Sequence, residues 1–299
     1  MSQALKQVVG IGELLWDLFP TGPRLGGAPF NFSFHCNQLG ARGVPVSAVG
    51  HDDLGLELRD VLVSLEIPSE YVVGLSDYPT GTVDVVLDGN GKPTYEIKKD
   101  VAWDFIPQSE KLLQLASTTD AVCFGSLAQR NNVSRNTLRA FIKNMPEESL
   151  RIFDVNLRQS FFNEEIVRES LDMCNVLKLS DEELPVVAEM FGLFGSVDDR
   201  LKQLIERFEL KLVAYTRGAE GSLLMAEDDG DDHPGCPTTA VNSVGAGDSF
   251  TATLCAGLLK NKALAEINAH ANRVATFVCS QDSATPVLPE ELRKGKIHA

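Results

Sequence analysis

The sequence predicts an α/β protein: a mostly parallel sheet with helices between its strands, and a small β-structured lid. Three observations predict this class. Short apolar runs alternate with amphipathic stretches along most of the chain, the pattern of strands joined by helical crossovers. A single hairpin signal between Thr80 and Ile97 breaks that rhythm. With 299 residues, 43% of them hydrophobic, the chain can bury a full core and accommodates one large domain with a smaller appendage.

Residues 7–13 read as a buried strand, and Leu14-Leu15-Trp16-Asp17-Leu18-Phe19 continues it with one charge. Asp17 either points outward from an edge strand or faces a polar ligand such as a sugar hydroxyl. Next comes Arg24-Leu25-Gly26-Gly27-Ala28-Pro29-Phe30-Asn31-Phe32-Ser33. The glycine pair permits close backbone approach, Pro29 suits the first turn of a helix, and Asn31 projects from that turn. The segment is either an ordinary loop-to-helix junction or a seat for a neutral ligand. Residues 43–50 form a strand, and 53–65 an amphipathic helix opened by Asp52-Asp53. Residues 82–88 and 93–97 flank Gly89-Asn90-Gly91-Lys92, a hairpin turned by Asn-Gly. A hairpin does not belong among helical crossovers, so it joins the segment after Leu14 in a lid of about residues 13–26 and 80–104, within a single domain spanning 1–299.

The rhythm then resumes. Strands are expected over 120–124, 150–155, 175–179 and 210–216, and helices over 133–145, from 164, over 181–191 and over 198–208. The acidic run Glu227-Asp228-Asp229-Gly230-Asp231-Asp232 reads as a solvated loop, since no partner ligands flank it to complete a metal site.

The stretch Asn242-Ser243-Val244-Gly245-Ala246-Gly247-Asp248-Ser249-Phe250 runs straight into an apolar helical segment. Glycines on either side of an alanine let the backbone turn with its N–H groups unshielded, and the helix that begins there adds free N–H groups and a positive dipole end. That is an anion hole. A carboxylate at its edge needs its own task, and Asp248 has two readings: a base that takes the proton of an attacking hydroxyl, or an N-cap of the helix. Three further polar groups stand at strand ends, where open α/β sheets bind ligands. They are Asp154-Val155-Asn156-Leu157-Arg158, whose alternation puts its polar side chains on one face if the strand stays extended; Lys178-Leu179-Ser180-Asp181-Glu182-Glu183; and Thr216-Arg217-Gly218. Ser180 and Glu183 either form a capping box or bring Glu183 near magnesium.

A net charge of −15 argues against nucleic acid or an anionic membrane surface as partner. No apolar run approaches the ~18 residues that span a bilayer. Six scattered cysteines with no C-x-x-C pair fit a reducing cytoplasm.

Together these segments resemble the ribokinase, or PfkB, family of sugar kinases, most closely its fructokinase-like branch, over about residues 8–289. Gly26-Gly27-Ala28-Pro29-Phe30-Asn31 and Val244-Gly245-Ala246-Gly247-Asp248-Ser249-Phe250, in this order, carry the likeness. The resemblance implies a doubly wound sheet with helices on both faces and a β lid, which is also a candidate homodimer contact. It implies Asp248 as the base with Gly245, Ala246 and Gly247 as the anion hole, and sugar binding by Asp17, Gly26, Gly27 and Asn31. Asn156 and Arg158 would line the space between the substrates; Lys178, Thr216, Gly218 and Asn272 would serve ATP, and Glu183 would serve ATP and, indirectly, Mg²⁺. Three positions depart from the family's pattern: Asn242 replaces an Asp tied to a monovalent-cation site, which weakens any K⁺ dependence; Ser180 replaces an Asn; and Ser283 a Gly. The reading is an ATP-dependent kinase of a neutral sugar, fructose first. Kinases of ribose, a nucleoside or a keto-sugar acid are alternatives, as is a silent relative that only binds a partner.

Overall fold

The computed structural model describes residues 5–19, 22–87 and 93–295. Strand β1 (Gln7–Ile11) passes into β2 (Leu15–Phe19) and β3 (Gly22–Gly26), and helix α1 (Ala28–Gln38) returns the chain to β4 (Arg42–Gly50). Helix α2 (Asp53–Ser64), β5 (Val72–Leu75), β6 (Gly81–Leu87), β7 (Pro93–Ile97) and α3 (Glu110–Ala116) follow. Then β8 (Ala121–Phe124), α4 (Asn132–Lys143), β9 (Leu150–Asp154), α5 (Glu164–Met173) and β10 (Val176–Ser180) alternate strictly. The remainder is α6 (Glu183–Phe191), α7 (Val197–Phe208), β11 (Leu212–Thr216), β12 (Ser222–Met225), β13 (Gly230–His233), α8 (Ala246–Leu259), α9 (Leu264–Cys279) and α10 (Glu290–Arg293).

Nine strands form one sheet in the order β13-β12-β11-β10-β9-β8-β1-β4-β5. It is parallel from β5 to β11, and β12 and β13 are added antiparallel. Strand alternation sorts the core between two layers. Val9, Ile11, Val122 and Phe124 point toward α3 to α7, whereas Val8, Ala121, Cys123 and Ile152 point toward α1, α8 and α9. Each fully buried large side chain contributes about 1.5–3 kcal/mol, so this two-sided burial fixes which helices lie on which face. Caps set the helix starts: Asp52 accepts from the Gly55 N–H at 2.8 Å, and Asn163 from the Ile166 N–H at 2.8 Å. No helix among the described residues is long and apolar enough to cross a membrane.

A second sheet, ordered β3-β2-β6-β7, stands apart from the first. Its Leu15, Val83 and Ile97 pack with Trp103, Leu127 and Ala128. Arg130 anchors the return to the main sheet, with its guanidinium 4.1 Å over the Trp103 ring and paired to both oxygens of Asp104 at 2.7 and 2.8 Å.

The structure departs from the sequence reading in several places. The Asn-Gly turn lies outside the described residues, although the strands on either side of it pair antiparallel as expected. The acidic run is not all loop: β13 takes its last three residues, because β12 supplies ladder partners and Asn268 of α9 donates to Asp231 at 2.9 Å. The chain does not stay extended past Asp154, since Asn156 adopts a left-handed φ of 45° and turns it. Strands β3, β5 and β12 and helices α3, α9 and α10 have no counterpart in the sequence reading.

Candidate active site

A cavity of about 790 Å³ opens at the carboxyl ends of β9 and β10, between the first turns of α1 and α8. Leu15, Asp17, Val83 and Ile97 of the second sheet form its other wall. The fold thus places it where open parallel sheets bind ligands, with two helix N-termini aimed inward.

Helix α8 starts at Gly245, its N-cap, whose φ is 81°. A Cβ at that position would stand 2.6 Å from the Ala284 carbonyl oxygen, so conformation and space both require glycine. This corrects the capping reading of Asp248, which is the third residue of the helix and caps nothing. Its carboxylate is held from outside: Asn31 Nδ2 of α1 donates to Asp248 Oδ2 at 2.8 Å. Burial, with Asp154 adding to it, raises the Asp248 pKa to about 6 against the opposing pull of Asn31, Lys178 and Arg158.

Behind the turn lies a buried charged pair. Lys178 Nζ donates to Asp154 Oδ1 at 3.0 Å, and Thr251 Oγ1 of α8 donates to Asp154 Oδ2 at 3.1 Å. A Cβ on Gly247 would sit 3.3 Å from Lys178 Nζ, so the bare glycine leaves the ammonium against the first turn of α8. Burial alone would lower the pKa of Lys178, but Asp154 and Glu183 outweigh it, and the side chain stays charged.

At the other end of the cavity the groups are acidic. Burial raises the Asp17 pKa to about 6, with Arg24 opposing and Asp248 adding. A Cβ on Gly26 would stand 2.5 Å from Asp17 Oδ2, so this glycine makes room for the carboxylate without lining the cavity itself. A Cβ on Gly27 would fall on the Glu13 carbonyl oxygen, so α1 can begin this close to β1 only at glycine. Asn156 and Arg158 reach the cavity through the left-handed turn.

Glu183 occupies both of its oxygens. Oε2 accepts from the Ser180 N–H at 2.8 Å and Oε1 from the Leu157 N–H at 3.0 Å, while Ser180 Oγ accepts from the Glu183 N–H at 3.2 Å. The two reciprocal Ser180–Glu183 bonds of a capping box are present in the turn just ahead of α6, whose N-cap residue is Glu182, and the bond to Leu157 fastens the turn that carries Asn156 and Arg158. Glu182, the neighbour, lines the cavity instead. Thr216, Gly218 and Asn272 do not line it: Thr216 Oγ1 lies 3.5 Å from the Leu179 carbonyl, Gly218 opens a short helical turn, and Asn272 Nδ2 donates to Ser222 Oγ at 2.8 Å. Asn242 folds back on its own loop, its Oδ1 accepting from the Val244 N–H at 3.0 Å. Sequence reasoning missed Glu13, which lines the cavity while 3% exposed. A carboxylate closing an otherwise apolar strand was the signal for it.

The pfkB family carbohydrate kinase model matches residues 21–291. The chain belongs to this family. A fructokinase of Klebsiella pneumoniae is 30% identical to this kinase over 83% of each chain, and one of Salmonella typhimurium is 29% identical over 84% of each. Among solved structures, a sugar kinase of Pyrococcus horikoshii in complex with ATP has a TM-score of 0.79 at 26% identity, covering 97% of this kinase and all of that chain. A Vibrio cholerae fructokinase double mutant, bound to fructose, ADP and potassium, has a TM-score of 0.82 at 25% identity over 97% of each chain.

Proposed function

We propose that this carbohydrate kinase transfers the γ-phosphoryl group of ATP to a hydroxyl of a neutral sugar, with fructose the first candidate. The observation that carries the reading is the pairing of Asp248 with Asn31 beside the glycine turn that starts α8, in one cavity with Lys178. Asp248 takes the proton of the sugar hydroxyl as that oxygen attacks the phosphorus; the bond to the ADP oxygen breaks, and ADP leaves with the bonding pair. The N–H groups of residues 245–247 and the Lys178 ammonium face the charge on the transferring group. The turn fits this role, because a side chain on Gly247 would crowd the Lys178 ammonium, and one on Gly245 would collide with Ala284 and displace the turn. Mg²⁺ neutralises phosphate charge when bound with the nucleotide. Glu183, with both oxygens committed to backbone N–H groups, relates to it indirectly by fixing the turn at Leu157.

Acidic groups at the sugar end favour a neutral, hydroxyl-rich substrate over an anionic one. The fructokinases among the relatives, one of them crystallised with fructose and ADP, support fructose. The second sheet is read as the lid that excludes water from the transfer.

Asp248→Asn tests the reading. It keeps size and shape but cannot take the proton, so kcat should fall by roughly 10²–10⁴-fold while ATP affinity holds. A kcat within about threefold of wild type, with folding confirmed by circular dichroism, would return Asp248 to a structural role.

A further inference from the structure

Glu13 stands where the chain leaves β1 and crosses to the second sheet. Its residue surface is 3% exposed, it lines the cavity, and its Oε2 has no hydrogen-bond partner in the protein. A second buried atom shares this condition. Asn31 commits Nδ2 to Asp248, but its Oδ1 is also unpartnered. The two are neighbours through α1: the Ala28 N–H acts on the Glu13 carboxyl, and Ala28 and Asn31 lie three residues apart, one above the other on the helix. Burying one polar atom unsatisfied is costly, and proteins leave few such atoms. Two of them in the wall of one cavity mark a place where a ligand supplies the missing bonds.

We infer that Glu13 is a sugar-contacting residue, its Oε2 forming with Asn31 Oδ1 a two-point site for two hydroxyl groups of one substrate molecule. The inference rests on the sugar-kinase reading and adds to it a requirement on the substrate: a pair of hydroxyls, spaced to reach both oxygens, besides the hydroxyl that attacks. Burial raises the Glu13 pKa to about 7; Asp248 adds to this, while Arg158 and the backbone N–H groups of Glu13 and Ala28 oppose it. Near neutral pH the carboxyl therefore both donates and accepts, which suits a hydroxyl partner. A purely structural role is the competing explanation, because α1 has no side-chain cap and no acidic residue in its first turn.

The two explanations give opposite signs for Glu13→Leu. Removing an unsatisfied carboxyl from a buried site in favour of an apolar group of similar size leaves Tm unchanged or raises it, whereas losing the helix cap lowers it. Sugar binding to the full-length protein would be measured by calorimetry with D-fructose, D-ribose and D-glucose, and with monodeoxy analogues of whichever binds tightest. The expected result is about ten- to hundredfold weaker sugar binding in Glu13→Leu, an intermediate loss in Glu13→Gln, and unchanged ATP binding. One deoxy analogue should bind poorly to the wild type yet be indistinguishable from its parent sugar in Glu13→Leu. Sugar affinity within about threefold of wild type in Glu13→Leu overturns the inference, as does equal weakening of ATP or no binding of any of the three sugars by the wild type. Should Glu13→Leu fail to melt cooperatively, the Glu13→Gln and analogue comparisons decide. A wild type that binds sugar with the Glu13 dependence but transfers no phosphate refutes the kinase reading and leaves the site standing.

Discussion

At the scale of single residues, the cavity sets acids against a few cations, and the balance has kinetic consequences. In the proposed mechanism Asp248 acts as a base only when ionised, and burial holds its pKa near 6 with Asp154 adding to the rise. The ratio kcat/KM should therefore fall as pH drops through about 6 and level off above it, because protons occupy the base on the acid side. Glu13 and Asp17 titrate in the same window, so this limb belongs to the group of carboxyls together. Asp154→Asn separates them. Asp154 raises the pKa of Asp248 directly, whereas burial, Asp248 and nearby arginines act on the other two, and removing the Asp154 charge also leaves Lys178 unneutralised beside Asp248. Both changes favour the carboxylate, so the midpoint of the acid limb should move to lower pH; a midpoint that stays or rises removes Asp154 from the tuning of the base. Asn31→Ala should act twice, since the amide that bonds Asp248 is also, in the proposed reading, the one that faces the sugar. Steady-state kinetics should show a higher sugar KM together with a kcat lower by about tenfold, at unchanged ATP KM. An effect on KM alone would mean that Asn31 does not position Asp248.

At the scale of elements, the start of α8 is the most constrained junction in the fold. Gly245→Ala forces a left-handed φ on a residue with a Cβ and drives that atom toward Ala284. Backbone strain of about 1–3 kcal/mol should appear as a lower Tm by calorimetry, with reduced kcat from the displaced N–H groups. An unchanged Tm would show that the loop around Ala284 yields. The elements legible in the sequence were those with a local signal: the βα alternation from β8 to β11, the cap at Asp52, the glycine turn before Asp248, and the Pro29 start of α1. What escaped was decided by partners. Strand β13 carries consecutive aspartates, and only pairing with β12 and the bond from Asn268 make it a strand. The turn at Asn156 follows from the Glu183 bond to Leu157, and that residue is 26 positions away along the chain. Glu13 looked like the tail of an apolar strand because its neighbours in the cavity come from α1 and α8. Thr216 and Gly218 were singled out by their place at a strand end and Asn272 through family likeness alone, and the cavity gathers none of the three.

At the scale of the whole molecule, the second sheet and the glycine turn are joined through one surface loop. Arg24 of β3 pairs with both Asp282 oxygens at 2.7 and 3.0 Å, and two residues on, the Ala284 carbonyl accepts from the His35 ring at 2.9 Å and backs Gly245. Sheet, loop, α1 and α8 thus meet around a single carbonyl, which explains how pieces far apart in sequence hold one cavity in shape. Such an exposed ion pair is worth about 0–1 kcal/mol, so the shape rests on the packed carbonyl more than on the pair.

The last strand of the main sheet has a consequence of another kind. A terminal strand offers unpaired backbone donors and acceptors to any second sheet that approaches, and chains assemble edge to edge unless something repels them. In β13 the exposed positions are Gly230 and Asp232, and Asp231 and His233 occupy the alternate ones. This strand is thus a poor template for self-association, because its exposed Asp232, paired with Arg217, sets charge at the rim. Asp232→Val would replace a charge with a strong strand former at the rim, so concentrated solutions of that variant should scatter light and precipitate on warming well before the wild type does. Equal scattering from the two would show that the rim is protected by other means.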